Sequence, residues 1–542
     1  MKKLAIFCFI SLCALFICLF TYNSKAAFSI GDVNGDGKIS ANDYNLVKKS
    51  ILGISSLTGD NRTRADINFD NKISSQDYIL IKKIMLNQIS VPTFTPVPVT
   101  PAPTATSTPT LTPAPTSTPE PKPTRIHFLN TGGSNAFLLE SNDHYALIDA
   151  SNPYEQGTSW DEPEATSVGK VIKYLKNLGV TKLDVIIASH SHSDHIGGME
   201  KIATNFVGSG TKYYYRTYST DNSDDVLHPD WDNKGFYERS ISAMKNAGAE
   251  LVEVTKKDPY IVLGDFEISI MNTSTPRDNE YTNINGKKYV YGENKNSLAV
   301  YVKYGNFKTL IAGDMEMEDE MDVANSIGDI DILQMGHHGL YTSSSQEYIK
   351  TLKPNYVIVS TDNFDLSNDI TRFSSIRLAQ KNGAQVYLTT KIKDAVVFNC
   401  VSNTCSVTSN DALVNFTIER KDNSPWEKVT YSGKSAWFYY NGSIYVEDDW
   451  IKYDGKYYHF SNRGQMEVGW QEITWSGGTN WFYFDLNNGD MLTGWQKLSW
   501  KGGTNWFYFD PTDGYMYANT TKTIDGKSYS FDSNGVCTSA GC

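Results

Sequence analysis

The sequence has fewer positively charged residues than negatively charged ones, and it has few long apolar runs. Lysine and arginine number 49 against 61 aspartates and glutamates, which gives a formal net charge of −12. An acidic protein repels polyanions at long range, so a dedicated nucleic-acid binder is not expected. One apolar run, residues 4–20, is short for a membrane span of about 20 residues, and no comparable run follows it.

The apolar run has the flanks of a secretory signal. Lys2 and Lys3 precede it, and the small residues Ser24, Ala26 and Ala27 follow it. A positive start, an apolar middle and a small-residue cleavage site predict a signal peptide over residues 1–27 and an extracellular, cell-surface or scaffold-associated protein. A retained membrane anchor is the alternative.

Cysteine is scarce, and three of the seven cysteines lie inside the predicted signal peptide. The other four form two close pairs, Cys400 with Cys405 and Cys537 with Cys542. Neither pair has the spacing of a metal site. An even number of cysteines in a secreted chain favours disulfides, so we predict that each pair is bonded.

Composition divides the rest of the chain into four segments. Residues 28–89 contain a duplicated motif, and residues 90–124 are nearly all Pro, Thr, Ala, Ser and Val, which predicts an extended linker. Residues 125–412 alternate strand and helix patterns. Residues 426–542 are dense in Trp, Tyr and Gly and repeat themselves.

The third segment has the pattern of an α/β domain. IHFLN, NAFLLE and YALID predict short strands, and LDVIIAS predicts a buried strand. SVGKVIKYLKNLG is typical of an amphipathic helix, with Val168, Ile172 and Leu175 on one face and Gly179 at its end.

Two acidic loops in the first segment have the spacing of a calcium site. Oxygen ligands recur at loop positions 1, 3, 5, 7, 9 and 12, as calcium requires. Gly37 and Asn71 stand at the sharp turn, where a left-handed backbone is tolerated. The predicted calcium-binding residues are Asp32, Asn34, Asp36, Lys38, Ser40 and Asp43, and then Asp66, Asn68, Asp70, Lys72, Ser74 and Asp77.

Each loop runs into a similar segment, DYNLVKK or DYILIKK, and position 12 is Asp rather than the usual Glu. This doubled loop-and-helix resembles the dockerin family. The resemblance implies an all-α module that holds two Ca²⁺ and docks to a cohesin on a scaffold protein. The residues that help choose the cohesin differ between the repeats: Ala41 and Asn42, against Ser75 and Gln76.

The chemistry is expected at the end of the strand LDVIIAS, where the segment HSHSDHIGG follows. Three imidazoles and a carboxylate at a strand end cannot pack as a core, and they suit zinc or a similar metal. Five of the nine histidines lie in this motif and in a later His-His pair. The predicted ligands in the motif are His190, His192, Asp194 and His195.

HxHxDH resembles the metallo-β-lactamase superfamily, which implies an αββα sandwich with two metal ions. In that family the first two histidines hold one metal, the Asp-His pair holds the other, and a later Asp bridges both. The matching positions here are Asp314 for the bridge and His337 or His338 for the last ligand. Asp194, His195 and Asp314 are the predicted catalytic residues.

This chain departs from the family at one point. Many members carry another histidine ahead of the bridging Asp, where this sequence has Asn296 and Ser297. Fewer protein ligands leave positions for water or substrate, as a catalytic metal needs. Asp149, at the end of the strand YALID, is predicted either to orient a ligand imidazole or to serve a structural role.

The fourth segment repeats with a period of 25 residues, from GWQEITWSGGTNWFYFD to GWQKLSWKGGTNWFYFD. So short a repeat cannot bury its own core, so stacked hairpins in a β-solenoid are expected. The aromatic density exceeds what packing needs and could cage a quaternary ammonium. The pattern resembles choline-binding or cell-wall-binding repeats, which implies a ligand of wall choline or polysaccharide at Trp470, Trp481, Trp495 and Trp506.

The combination of segments narrows the substrate. The metal domain together with such repeats resembles the phosphorylcholine esterases of choline-decorated bacterial walls, which implies a phosphodiesterase that releases phosphorylcholine from teichoic acid. Trp231 lies in a matching stretch and is a candidate choline contact. The segments NSL, GD and HHG also occur in the metallo-domains of DNA-uptake proteins, so an extracellular nuclease is one alternative. A lactonase-type hydrolase and a non-catalytic adhesion protein are others.

Overall fold

A computed structural model gives the architecture of the chain. It describes residues 30–51, 57–67, 72–73, 77, 80–82, 84, 122–153, 167–218, 222–255, 259–273, 281–284, 287–290, 292–366, 371–420 and 424–542. The predicted signal peptide and most of the linker lie outside these residues. The chain forms two compact units, residues 1–116 and 117–542.

In the N-terminal unit, helix α1 spans Ala41–Ile51 and helix α2 spans Gly59–Ala65. Ile30, Val33, Val47, Ala65 and Ile67 are buried together in a small core. Of the second repeat's helix, residues 77, 80–82 and 84 are described and are helical.

The second unit begins with an eight-stranded sheet in the order β17-β16-β1-β2-β3-β4-β5-β6. Strands β3 to β6 are parallel to one another, and the others pair antiparallel. The strands are β1 Thr124–Leu129, β2 Phe137–Ser141, β3 His144–Ile148, β4 Val185–Ile187, β5 Lys212–Tyr215, β6 Glu250–Glu253, β16 Ala395–Val401 and β17 Thr404–Val407.

A second sheet has the order β15-β14-β13-β12-β11-β8-β7, with β12 to β15 parallel. Its strands are β7 Tyr260–Leu263, β8 Phe266–Met271, β11 Ala299–Tyr304, β12 Phe307–Ile311, β13 Ile332–Gln334, β14 Tyr356–Val359 and β15 Gln385–Leu388. A separate hairpin joins β9 Tyr281–Ile284 to β10 Lys287–Val290.

The two sheets pack face to face, and helices cover their outer faces. The helices are α3 Ser167–Asn177, α4 Ser193–Ile196, α5 Met199–Phe206, α6 Ser223–Leu227, α7 Asn233–Asn246, α8 Met317–Ile327, α9 Gln346–Leu352 and α10 Phe373–Lys381. Alternation along β2 shows the layering: Phe137 and Leu139 enter the core between the sheets, whereas Leu138 packs with Val171 and Leu175 of α3. The predicted αββα sandwich is confirmed.

The C-terminal part is a series of two-stranded antiparallel hairpins, as the repeat pattern predicted. Strand β18 Thr417–Arg420 pairs with the first hairpin, so no break separates the sandwich from the repeats. The remaining strands are β19 Trp426–Tyr431, β20 Lys434–Tyr439, β21 Asp449–Tyr453, β22 Lys456–Phe460, β23 Gly469–Trp475, β24 Gly478–Phe484, β25 Gly494–Trp500, β26 Gly503–Phe509, β27 Thr520–Ile524 and β28 Lys527–Phe531.

Both predicted disulfides are present. Cys400 and Cys405 face each other across the β16–β17 hairpin, and Cys537 is bonded to Cys542 at the end of the repeats. Among the described residues, no helix combines the length and apolar character needed to cross a membrane.

Candidate metal centre

The predicted ligands converge at one edge of the sandwich, because they follow the carboxyl ends of β4 in the first sheet and of the parallel neighbours β12 and β13 in the second. The HSHSDH segment follows β4, Asp314 follows β12, and His337 and His338 follow β13. A one-turn helix, Ser193–Ile196, begins inside the HSHSDH segment rather than after it. That turn places Asp194 and His195 on the side of the first two histidines.

His190, His192 and Asp314 form the first group that could hold a metal ion. All three side chains are nearly or fully buried. The Nε2 atom of His190 lies 3.0 Å from Nδ1 of His192 and 3.8 Å from Oδ2 of Asp314. The three donor atoms therefore face one small volume.

Asp194, His195, Asp314 and His338 form the second group. Oδ2 of Asp194 lies 3.0 Å from Nε2 of His338, and Oδ1 of Asp314 lies 3.1 Å from Nε2 of His195. Asp314 is common to both groups, as the bridging position requires. The geometry brings His338 rather than His337 into the group.

The donor set fits a pair of borderline metal ions such as zinc. Nε2 of His195 and Oδ1 of Asp314 are buried and lie 3.1 Å apart, but neither makes a well-directed hydrogen bond. A buried polar atom without a partner costs free energy, which a cation between these atoms would recover. Imidazole nitrogens with carboxylate oxygens are the ligands that zinc takes in hydrolases.

Each imidazole of the two groups makes a polar contact through the ring nitrogen that faces away from the centre. Such partners set the tautomer and the orientation of a ligand ring. The contacts are His190 Nδ1 to Ser189 Oγ at 3.1 Å, His192 Nε2 to Asp224 Oδ2 at 2.9 Å, His195 Nδ1 to Asp149 Oδ2 at 2.7 Å, and His338 Nδ1 to the Ser360 carbonyl at 3.0 Å.

Asp149 therefore orients the imidazole of His195, one of the predicted ligands. It is fully buried, and it also accepts hydrogen bonds from the backbone N–H and the hydroxyl of Ser189. The sequence did not reveal Asp224, which lies 32 residues beyond His192 in a segment without a recognisable motif. The contact at Ser360 is made by a backbone carbonyl, so no side-chain type in the sequence could reveal it.

Burial and mutual charge set the protonation of the cluster. Burial lowers the pKa of His190 well below its usual value, and the neighbouring His195 lowers it further. Burial also opposes ionisation of Asp314, but the imidazoles of His195, His338 and His337 outweigh it and hold the pKa of Asp314 well below its usual value. The shared carboxylate is therefore anionic. Burial opposes protonation of His195, but the carboxylates of Asp314, Asp149 and Asp194 outweigh it and raise the pKa of His195 well above its usual value.

His337 stands at the edge of the cluster. Its Nδ1 lies 2.6 Å from Oγ1 of Thr342, its Nε2 lies 3.3 Å from Nδ2 of Asn294, and its side chain is 19% exposed. Asp314 Oδ2 is 3.8 Å away. His337 is thus the more accessible member of the pair and is placed to meet a bound molecule.

The segment that lacks the additional family histidine supports Asp314 instead. The hydroxyl of Ser297 accepts a hydrogen bond from the backbone N–H of Asp314 at 3.1 Å. Arg216 donates to the carbonyl of Asn296 at 3.0 Å. Among the described residues, the metal-type clusters contain no ligand from this segment.

One wall of the centre is aromatic and partly open. Trp231 is 42% exposed, its ring lies 5.5 Å from that of His192, and it stacks on His228 at 3.9 Å. Asp224, on the adjacent helix α6, adds a carboxylate behind His192. An aromatic face beside a carboxylate is an environment that favours organic cations.

The first predicted calcium loop is folded around its own acidic residues. The Asp32 carboxylate accepts hydrogen bonds from the backbone N–H groups of Asp36 and Gly37, and Asp43 accepts from those of Asn34 and Ser40. Gly37 has φ +87°, as the sharp turn predicted. Lys38 and Lys72 lie at the corresponding loop positions. Asn68, Asp70, Asn71 and Ser74 of the second loop lie outside the described residues, whereas Asp77 accepts from Ile67 N–H.

The repeats place aromatic side chains between successive hairpins in one register. Each site between two hairpins contains three aromatic rings. The first ring comes from the start of a hairpin, the second from the second strand of that hairpin, and the third from the end of the first strand of the next hairpin. These triads are Trp426, Trp437 and Tyr453, then Trp450, Tyr457 and Trp475, then Trp470, Trp481 and Trp500.

The predicted pairs keep the same geometry in both close repeats. Trp470 and Trp481 are 6.3 Å apart at 76°, and Trp495 and Trp506 are 6.3 Å apart at 88°. In the last repeat Ile524 ends the strand where the other hairpins have an aromatic residue. Open space of about 250 Å³ beside Trp426 and about 440 Å³ beside Trp450 accompanies the first two triads.

Comparison with known proteins agrees with this organisation. Residues 129–361 match the family model of the Metallo-beta-lactamase superfamily, and residues 30–86 match that of the Dockerin type I domain. The sandwich is therefore similar to the metallo-β-lactamase superfamily, which typically comprises metal-dependent hydrolases, and the N-terminal segment is similar to dockerins.

Two curated relatives are similar over part of the chain. ComE operon protein 3 of Bacillus subtilis is 24% identical over 192 residues, which are 35% of this chain and 21% of that protein. Recombination protein 2 of Haemophilus influenzae is 26% identical over 249 residues, which are 44% of this chain and 24% of that protein. The chain thus spans about a quarter or less of the length of these relatives.

Solved structures resemble separate parts of the chain. The metallo-beta-lactamase fold protein YhfI from Bacillus subtilis is 12% identical, with a TM-score of 0.32, and the match covers 52% of this chain and 100% of that one. A choline binding domain from Streptococcus pneumoniae is 30% identical, with a TM-score of 0.13, and the match covers 17% of this chain and 93% of that one.

Proposed function

We propose that the chain is a secreted phosphodiesterase that releases phosphorylcholine from wall teichoic acid or a related choline phosphodiester. The observation that carries the proposal is Asp314, which belongs to two buried His/Asp groups at once. His190 and His192 would hold one metal ion, and Asp194, His195 and His338 the other, with Asp314 between them. When bound, a pair of such ions supplies activation of water and stabilisation of negative charge on a phosphoryl oxygen.

The chain's own residues keep this arrangement ready. Ser189, Asp224, Asp149 and the Ser360 carbonyl hold the four imidazoles in fixed orientations, which reduces the reorganisation needed during reaction. His337, outside the two metal groups, lies at the exposed edge of the centre, where its ring would contact a bound substrate. Trp231 would pack its exposed ring against the trimethylammonium group.

The repeats support the choice of a choline ester. Their aromatic triads have the perpendicular rings of a quaternary-ammonium cage. Repeats that bind choline would hold the enzyme on a surface rich in its substrate and raise the effective concentration without new catalytic contacts. The dockerin-type segment would add calcium-dependent attachment to a cohesin, outside the cell.

The substrate is tested with p-nitrophenylphosphorylcholine, bis-p-nitrophenyl phosphate, single-stranded DNA and a lactone, each with and without chelator. We expect metal-dependent cleavage that is fastest for the choline ester. Trp231→Ala should raise KM for the choline ester and leave that for bis-p-nitrophenyl phosphate nearly unchanged. Tyr260→Ala, a control at an exposed aromatic ring on β7, should change neither.

An extracellular nuclease is the second candidate, because one curated relative is named Recombination protein 2. The carboxylate of Asp224 behind His192 disfavours a polyanionic substrate. Faster cleavage of DNA than of the choline ester would establish the nuclease. Turnover of the lactone alone would instead place the enzyme among lactonases.

Metal binding has its own test. Asp314→Ala should remove both ions from tight binding, since each group loses a ligand, while the fold is kept. Elemental analysis of the purified variant measures this, with Asp322→Asn on the exposed side of α8 as the control. Full metal content in Asp314→Ala would disprove the bridging role.

A further inference from the structure

The turn that carries His337 and His338 is strained. His337, His338 and Gly339 have φ angles of 48°, 56° and 81°, so three successive residues adopt the left-handed region. Non-glycine residues in that region are strained, and they persist only where surrounding contacts hold them. The position of His338 therefore depends on what holds this turn.

The turn is held by the segment that enters helix α10. Leu340 forms an antiparallel bridge with Thr371, and the backbone N–H of Arg372 donates to the carbonyl of Gly339 at 2.9 Å. The guanidinium of Arg372 donates to the carbonyl of Tyr341. Thr371 and Arg372 thus hold the backbone of residues 339–341, which follow His338.

Arg372 is held in turn by a residue of the repeats. Glu447 precedes β21, and its carboxylate accepts from Arg372 at 3.2 Å and from the hydroxyl of Ser374. The Arg372 side chain is 6% exposed and that of Glu447 is 19% exposed, so the pair is largely removed from water. A charge pair in such surroundings fixes geometry more firmly than one on the surface.

Arg463, between the second and third hairpins, makes the other connection. It is fully buried, and it donates to the carbonyls of Thr371 at 3.1 Å and Leu366 at 2.8 Å. Its own carbonyl accepts from the backbone N–H of Ser374 at 3.0 Å. A buried guanidinium is costly unless such acceptors surround it, so its position and theirs are fixed together.

We infer that Glu447 and Arg463 are positioning residues for the metal centre, acting through Arg372 and Thr371 on the turn that carries His338. Residues 426–467, which the sequence assigns to the aromatic repeats, are thus a structural part of the hydrolase. Val429, Phe438 and Tyr445 of the first hairpin share one buried core with Met335 and Val359 of the second sheet. The inference concerns the centre of the proposed hydrolase but does not depend on its substrate.

The test uses the full chain with Glu447→Gln, which keeps the side-chain shape and removes the charge. Cobalt(II)-loaded protein is challenged with a competing chelator, and the visible spectrum and the cobalt content are followed. Because His338 belongs to one of the two metal groups, we expect one ion to be retained about tenfold less tightly and the other to be unaffected. Arg463→Lys should act in the same direction.

Glu467→Gln is the matched control, since Glu467 contacts His459 within the same hairpin and not the segment at 371–374. Equal retention of both ions in Glu447→Gln and wild type would overturn the inference, and so would equal weakening of both ions. A lower unfolding temperature with an unchanged cobalt spectrum would show a merely structural role. None of these readouts involves a substrate, so absence of choline-ester cleavage by the wild type would count against the proposed function alone.

Discussion

At the scale of single residues, the centre depends on histidine side chains in which each of the two ring nitrogens has its own partner. His192 offers Nδ1 to the first metal group and Nε2 to Asp224. The sequence predicted a His/Asp cluster that could hold metal, because its members are close in sequence or follow strand ends. It could not predict Asp224 or Ser189 as partners, since their roles come from packing between elements that are distant in the chain.

Asp224→Asn tests this support. The amide can present its N–H to His192 and no longer carries the negative charge that stabilises the ring in its metal-binding tautomer. We expect about 10- to 100-fold weaker metal binding or activity, the range usual for such partners. Metal titration measures the affinity. Asp225→Asn is the control, because Asp225 accepts from Tyr218 instead, and an equal loss there would indicate damage to α6 as a whole.

His127 gives a pH dependence of stability that is separate from the centre. Burial lowers its pKa, and the Glu140 carboxylate beside it only partly opposes this. The unfolded chain therefore binds more protons than the folded one below about pH 6.5, so the free energy of unfolding falls as the pH drops through that region, by at most about 1.4 kcal/mol per unit.

His127→Gln should flatten this dependence in urea unfolding between pH 7.5 and 5. The variant also loses contacts with Tyr174 and Glu140, so the slope against pH, and not the absolute stability, is the quantity compared. His144→Gln, at an exposed histidine, should keep the wild-type slope. A steeper slope for His127→Gln would contradict the argument.

At the scale of elements, hydrophobic alternation predicted the strands around the site well. IHFLN, NAFLLE, YALID and LDVIIAS all form strands of the first sheet, because each must bury both faces between a helix layer and the second sheet. The order of strands in the two sheets was not predicted, because alternation does not specify which strands pair. The start of α4 inside the metal motif was missed, since it depends on the turn at Gly197 and Gly198.

The Gly198 position shows why that turn is tight. A Cβ atom there would lie 2.2 Å from the carbonyl oxygen of Ala150 and 2.6 Å from the Val168 side chain. The strand-end loop and helix α3 thus approach the motif closely. This close packing determines the position of His195, and the spacing of residues in the sequence does not reveal that packing.

The calcium loops give a prediction at the same scale. Asp32 and Asp43 are buried at the first loop, where carboxylates without a cation would repel one another. Asp32→Ala combined with Asp66→Ala should abolish calcium-dependent binding to a cohesin. Pull-down with immobilised cohesin measures this, and Asp60→Asn on α2 is the control. Cohesin binding that persists in chelator would contradict the dockerin assignment.

At the scale of the whole molecule, the repeats are joined to the sandwich more closely than composition indicated. Composition shifts at residue 426, but β18 already pairs with β19, and Glu427 receives Arg377 and Lys381 of α10. Gln346 of α9 exchanges two hydrogen bonds of 2.7 Å with the backbone of Tyr445. Composition is a property of one segment, whereas these side-chain contacts join residues between 46 and 99 positions apart.

Wall binding should therefore be removed by substitution and not by deleting residues 426–542. Trp481→Ala combined with Trp500→Ala opens the third triad and should weaken binding to immobilised choline by about 1–2 kcal/mol. Release from intact walls should slow, while turnover of p-nitrophenylphosphorylcholine should stay at the wild-type rate. Thr521→Ala, at an exposed hydroxyl pair on β27, is the control. Unchanged choline binding would favour a polysaccharide ligand.

The shared core of the first hairpin and the second sheet has a geometric consequence. A hairpin stack that continues from a rigid domain behaves as a rod, so each aromatic triad lies at a set distance from the metal centre. An enzyme anchored through one triad would reach substituents at that distance and spare those nearer the anchor. Limited digestion of a choline-bearing polymer should then leave uncleaved groups at a regular spacing, which the distance between the anchoring triad and the metal centre would set.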